Sequence, residues 1–147
     1  MAGLFSRYFP LIAWLLFISF ASSDNFNAGN TSRIIGPLIL WVFPNTSIET
    51  LGVVHLITRK AAHFTEYAIL AFFAARAFRT SPRQSIANRW FLISLALVIV
   101  YALLDEYHQS FVPSRTGTIY DSLIDIAGGL TALLIIRRRH NPARRFN

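Results

Sequence analysis

The chain has 147 residues, of which 54% are hydrophobic and only 14% are charged, and its mean hydropathy is +0.45. Soluble domains carry about 25% charged residues, so this composition favours an integral membrane protein, here a single domain over residues 1–147. The net charge of +7 comes from basic residues between and after apolar runs. This distribution is typical of the basic residues that set the orientation of a membrane protein, and it does not indicate a nucleic-acid partner. The absence of cysteine excludes disulfides, thiolate nucleophiles and cysteine zinc sites.

The apolar runs predict an all-α integral membrane bundle in contact with the lipid bilayer. The first run also has the pattern of a secretory signal peptide, but three more apolar runs follow it and favour an uncleaved helix. A stretch near 34–43 contains Gly36-Pro37 and is too short to span, so we expect it to lie in the interface or re-enter. Thr46 and Glu49 form a capping-box pattern from which a helix can run to Arg79. Four transmembrane helices are predicted, at approximately 8–22, 61–79, 89–106 and 119–136.

Basic residues occur in three clusters along the sequence. They are Arg7 near the start, the loop from Arg76 to Arg89, and the tail that begins at Arg137. The positive-inside rule assigns all three to the cytoplasm. Both termini are therefore predicted to be cytoplasmic, with segments 24–60 and 107–118 outside.

Acidic residues and histidines gather near the outer ends of three of these helices. With a rise of 1.5 Å per residue from the cytoplasmic arginines, Glu66 and Asp125 lie about 20 and 18 Å from the inner boundary. The same estimate puts His63, Asp105 and Asp121 about 24 Å from that boundary, in a hydrocarbon core ~30 Å thick. Ionisable groups at such depths suggest function, because burying them in hydrocarbon is costly. The agreement of depths predicts one polar pocket that opens outward.

Three spaced blocks of the sequence resemble the VanZ-like family. The resemblance covers roughly residues 55–137, and its one departure is Ser114, where members commonly carry glycine before the arginine. The blocks are Arg59-Lys60-x-x-His63-Phe64-x-Glu66-Tyr67, Asp105-Glu106-x-His108-Gln109-x-Phe111-x-Pro113-x-Arg115, and Asp121-x-x-x-Asp125-x-x-Gly128.

The resemblance implies a bacterial protein of the cell envelope, located in the cytoplasmic (inner) membrane. The family is named for a protein linked to teicoplanin resistance, so an effect on susceptibility to glycopeptide and lipoglycopeptide antibiotics is an expectation. The resemblance supplies no reaction, because a fold by itself does not define chemistry.

Our first interpretation is a site that binds or modifies a lipid-linked or amphiphilic envelope molecule, with a lipoglycopeptide as another possible ligand. Arginine and lysine suit phosphate or carboxylate groups, and histidine and buried carboxylates suit proton exchange. The candidate catalytic residues are His63, Glu66, Asp105, Glu106, His108, Asp121 and Asp125. The candidate substrate-binding residues are Arg59, Lys60, Tyr67, Gln109 and Arg115.

Other interpretations remain open from the sequence. A metal site is one, because His63, Glu66, Asp105, Asp121 and Asp125 offer suitable ligands; no HExxH or comparable spacing is present, so we assign no metal and no cofactor. Ion or proton transport is another, although no acid, histidine or basic residue occurs from 90 to 104 or from 126 to 136. A third alternative is a non-catalytic protein that shields an envelope ligand. A fourth is a charged network that only fixes helix packing.

Overall fold

The computed structural model describes residues 2–22, 36–112 and 118–140. All regular structure in those ranges is helical and they contain no strand, which confirms the all-α fold class. Residues 34 and 35 of the predicted interfacial segment, and Arg115, lie outside the described residues. The helices are α1 (Ala2–Ala21), α2 (36–42), α3 (Ile48–Arg79), α4 (Gln84–Asn88), α5 (Trp90–Gln109) and α6 (Ile119–Arg139).

Three of these helices are long and apolar enough to cross a membrane, which indicates a multi-pass membrane protein. They are the segments Gly3–Ala21, Trp90–Gln109 and Ile119–Arg139. The remaining long helix, α3, does not reach the same hydropathy, because His63, Glu66, Arg76 and Arg79 interrupt its apolar half.

Helix α3 begins at Ile48, well before the predicted span at 61–79. Ser47 caps it, because the Ser47 hydroxyl accepts a hydrogen bond of 3.2 Å from the backbone N–H of Thr50. The predicted capping role of Thr46 is wrong, since its hydroxyl donates instead to the carbonyl of Phe43 at 2.7 Å. With 32 residues, α3 is about 48 Å long, which exceeds the ~30 Å hydrocarbon core.

The apolar half of α3 is the centre of the bundle, and the other long helices pack around it. Alanines at one face let those helices approach closely. The buried apolar residues of this region are Tyr67, Leu70, Ala71, Ala74, Ala75, Ala77, Val98, Ala102 and Leu133.

Side-chain hydrogen bonds define the direction of α1. Trp14 Nε1 donates to the backbone oxygen of Glu66 at 2.9 Å, and Arg76 donates to the backbone oxygen of Ser6 at 3.3 Å. As the residue number rises along α1 it falls along α3, so the two helices are antiparallel.

All of the predicted cytoplasmic arginines in the described ranges lie at one end of the bundle, which we call the basic end. Arg76 binds the start of α1, near Arg7, while Arg137 lies 5.1 Å from the Phe91 ring at the start of α5. Because the helices share this end, the last turns of α1 and α5 and the first turn of α6 lie together at the opposite end.

Two glycines let α6 lie directly against its neighbours. A Cβ at Gly128 would overlap the backbone carbonyl of Phe64 on α3, and one at Gly129 would lie 2.6 Å from Cγ1 of Val98 on α5. Glycine at these positions therefore sets the separation of the three helices, as small residues do in membrane bundles.

Short helix α2 exposes its apolar side chains, with Trp41 81% exposed and Leu38 60% exposed. A groove separates it from the first turns of α3, and its lining includes Leu38, Val42, Phe43 and Val54. None of the predicted site residues lines this groove. The interfacial or re-entrant placement of this segment stays a prediction.

Candidate functional site

Helices α3 and α6 run in parallel and hold two ion pairs, one helical turn apart. Deeper in the bundle, Nδ1 of His63 lies 3.3 Å from Oδ1 of Asp125. Nearer the helix ends, Lys60 Nζ donates to Oδ1 of Asp121 at 3.2 Å. The i+3 spacing on α3 and the i+4 spacing on α6 place both pairs on the facing surfaces of the two helices.

The two pairs differ sharply in exposure. The side chains of Lys60 and Asp121 are 39% and 16% exposed, whereas those of His63 and Asp125 are 10% and 0% exposed. The outer pair is therefore in reach of solvent or a ligand, while the inner pair lies in a low-dielectric environment where charge must be balanced.

Helix α5 adds two buried carboxylates and an amide at the same end of the bundle. Gln109 Nε2 donates to Oδ2 of Asp105 at 3.0 Å, and it also lies 3.4 Å from Oγ of Ser22. Glu106 Oε2 accepts a 2.8 Å hydrogen bond from the backbone N–H of Thr118, the residue that caps α6. These bonds attach the ends of α1 and α6 to α5. We call the residues Lys60, His63, Asp105, Glu106, Gln109, Asp121 and Asp125 the polar cluster.

Several buried polar atoms of this cluster lack a hydrogen bond within the described ranges. They are His63 Nδ1, Glu106 Oε1 and both carboxylate oxygens of Asp125. The approach of His63 to Asp125 is in ion-pair range but lacks the alignment of a hydrogen bond. One potential ligand atom from each of these three residues lies within 4.8 Å of the other two. Buried polar atoms are normally paired, so this group calls for an explanation.

Three further side chains of α3 lie within one turn of His63. Tyr67 is fully buried, and its hydroxyl donates to the backbone oxygen of Tyr101 at 3.4 Å. Glu66 is half-buried and lies three residues after His63. Arg59 lies four residues before His63, and its Nη2 is buried with no acceptor among the described residues.

The structure thus brings most of the predicted site residues in the described ranges together, with His108 as the clear exception. His108 is exposed, whereas its neighbours Asp105, Glu106 and Gln109 are buried, so this candidate catalytic residue does not belong to the polar cluster. Because consecutive residues on a helix are 100° apart, only some of these neighbours can face the bundle. Those that do are Asp105, Glu106 and Gln109.

The predicted depths of the site residues differ from the observed pairing by one helical turn. The rise estimate matched His63 with Asp121 and Glu66 with Asp125, whereas the contacts pair Lys60 with Asp121 and His63 with Asp125. The estimate took Arg79 and Arg137 as equal in height, but the contact of Gly128 with Phe64 sets the register between the two helices.

Two polar partners were missed at the sequence level. Ser22 meets Gln109 across 87 positions, and no local pattern indicates this. Thr118 did have a signal, since Thr118-x-x-Asp121 is a helix-start pattern, and its hydroxyl does accept from the Asp121 N–H at 3.3 Å.

Comparison with known proteins identifies a family. The VanZ/LLP1 family model matches residues 7–140, which include most of α1, all of α3, α5 and α6, and the whole polar cluster. No curated protein and no solved structure matches the chain. Because the match covers nearly the whole sequence, the chain belongs to the VanZ/LLP1 family.

Proposed function

We propose that the chain is a four-span protein of the bacterial cytoplasmic membrane, with residues 61–79 of α3 as the fourth span. Its central position supports this, because a helix surrounded by others need not be apolar on every face. The gathering of arginines at the basic end supports cytoplasmic termini. In this orientation the polar cluster faces the outside of the cell.

A matched pair of serine-to-cysteine variants tests this orientation, since the chain has no cysteine of its own. Ser110 and Ser85 are both exposed, at opposite ends of the bundle. In intact cells, a thiol reagent that cannot cross the membrane should label Ser110→Cys and leave Ser85→Cys unlabelled until the membrane is permeabilised. Labelling of Ser85→Cys alone would reverse the topology and turn the polar cluster towards the cytoplasm.

We infer that the polar cluster binds the anionic head group of an amphiphilic envelope molecule, such as a lipid-linked phosphate. The observation that carries this is the pair of cations at its rim. Lys60 is 39% exposed beside Asp121, and the neighbouring Arg59 has a buried Nη2 without an acceptor in the described part of the chain. A planar guanidinium with a free N–H is suited to a phosphate or carboxylate oxygen.

The inner pair gives this site a capacity for proton exchange. His63 lies one turn below Lys60 and contacts the fully buried Asp125. An imidazole held by a carboxylate can donate or accept a proton near neutral pH. Modification of the bound head group is therefore compatible with the arrangement, with His63 and Asp125 as the candidate acid and base.

Replacement of Lys60 by glutamine tests head-group binding. The variant should bind a polyprenyl phosphate at least about tenfold more weakly, because a charge-assisted hydrogen bond contributes roughly 1.5–3 kcal/mol. Binding can be measured by reconstituting the purified protein into vesicles that contain a photoreactive, labelled polyprenyl phosphate and measuring the label crosslinked per chain. Arg138→Gln is the matched control, since it removes one positive charge at the basic end. If both variants lose the same amount of lipid binding, the effect comes from the overall positive charge and not from Lys60 at the site.

An effect on teicoplanin susceptibility is a second part of the proposal, and it follows from membership of the family. A cluster that binds lipoglycopeptides should retain teicoplanin in the same reconstituted system, whereas one that binds a lipid-linked phosphate should not. If neither probe binds and Lys60→Gln changes only the melting temperature, the charged network is structural.

A further inference from the structure

We propose that His63, Glu106 and Asp125 bind one divalent transition-metal ion, with Zn²⁺ as the first candidate. No metal was predicted from the sequence, because the ligand spacings of known motifs are absent. Here each ligand comes from a different helix, so no short motif is expected. The inference goes beyond the proposed head-group binding and does not depend on it. With an ion bound, His63 and Asp125 act as its ligands and not as the acid and base of proton exchange.

The geometry of the three side chains carries the proposal. Ligand atoms from all three lie within 4.8 Å of one another. Around a tetrahedral ion with bonds of about 2.1 Å, ligand atoms are about 3.4 Å apart, so small side-chain movements complete the site. The three side chains are buried, and Asp125 is fully so.

The lack of hydrogen bonds at these buried atoms is the second, independent observation. His63 Nδ1, Glu106 Oε1 and both oxygens of Asp125 have no hydrogen bond within the described ranges. Asp105, the neighbouring carboxylate, differs because Gln109 donates to it at 3.0 Å. Within the polar cluster, the buried atoms left without a hydrogen bond are thus the ones that an ion would use.

The charges of the site favour a divalent cation. A protonated His63 supplies one positive charge beside Asp125, whereas Glu106 is a second buried carboxylate whose hydrogen bond comes from the neutral N–H of Thr118. One divalent ion balances both carboxylates. Imidazole suits zinc, iron and nickel, whereas magnesium and calcium prefer oxygen ligands alone. A mixed set of one nitrogen and two carboxylates therefore indicates a transition metal.

The arrangement has the ligand number of a catalytic rather than a structural zinc site. Three protein ligands leave a fourth position for water or for an oxygen of another molecule. Glu106 is further oriented through its second oxygen, which accepts from Thr118 N–H at 2.8 Å. Such outer contacts fix the direction of a ligand.

Metal content of the purified protein tests the proposal. The protein should be prepared in detergent without chelators and with a purification tag that contains no histidine, and then measured by mass spectrometry of the elements. We expect close to one transition-metal ion per chain. His63→Gln and Glu106→Gln should each lower metal retention at least about tenfold. Their matched controls, His55→Gln on the same helix and Glu49→Gln, should retain it.

A second measurement on the unaltered chain guards against variants that fail to fold. After removal of metal by a chelator, added Zn²⁺ or Co²⁺ should raise the melting temperature, and Co²⁺ should produce visible d–d absorption, while Mg²⁺ should do neither. If the protein as purified holds no metal and none of these ions changes its melting temperature, the proposal is overturned. Retention of metal by His63→Gln and Glu106→Gln would also overturn it.

Discussion

The Gly128→Ala protein is expected to melt at a lower temperature than the original chain. The added Cβ would overlap the backbone carbonyl of Phe64, and backbone cannot move aside as a flexible side chain can. Helix α6 must then shift away from α3, at a cost of about 1–3 kcal/mol in the free energy of unfolding. The shift also separates His63 from Asp125, so head-group binding should fall with stability.

A second glycine of the same bundle supplies the control. Gly52 lies in the exposed first half of α3 and has nothing within 4 Å of an added Cβ. Gly52→Ala should therefore leave the melting temperature unchanged or raise it, because alanine favours a helix over glycine by up to about 1 kcal/mol. Thermal denaturation of both variants in the same detergent checks that the two changes in melting temperature differ in this way. An unaffected Gly128→Ala protein would mean that α6 does not lie against the backbone of α3.

The Asp125→Asn protein is expected to accumulate normally and to lose function almost completely. Asparagine keeps the volume of the side chain but removes its charge and its proton exchange. Loss of one partner of a buried ion pair is severe when it leaves the other charged. Here the His63 imidazole can lose its proton and become neutral, so we expect the melting temperature to change little.

The readouts for this variant are lipid binding, teicoplanin retention and metal content, each compared with the amount of folded protein. Glu49→Gln is the control, because Glu49 is an exposed carboxylate at the start of α3. If Asp125→Asn instead melts far lower and function falls only as its abundance falls, the cluster is structural. Full function with unchanged stability would shift attention to Asp105 or Asp121.

The sequence was sufficient for the four long helices, although α1 begins at Ala2 and not near residue 8, and the short helix α4 falls in a predicted loop. It also predicted that most of the polar side chains gather at one end of the bundle. Apolar runs bounded by arginines predicted the bundle, because solvation by lipid leaves few alternatives to helices. The face of α6 that carries Asp125 and Gly128 was also predictable, since i+3 and i+4 spacing is a local property.

The register between helices was not predictable in the same way. It depends on the contact of Gly128 with Phe64, two residues that are 64 positions apart in the sequence. Counting residues along one helix does not reveal a contact between two helices. The buried role of Glu106, against the exposed position of His108, likewise depends on which turn of α5 meets α6. Such details arise from packing, and a single sequence records packing only indirectly.

The length of α3 has a mechanical consequence. This single helix begins at Ile48 beside the groove, passes Lys60 and His63, and ends at Arg79 at the basic end. About 18 Å of it extends beyond the thickness of a hydrocarbon core. Because the helix is unbroken, a molecule that tilts the projecting turns also tilts the turns that carry Lys60 and His63. Such a tilt would change the distances from these two side chains to Asp121 and Asp125 on α6.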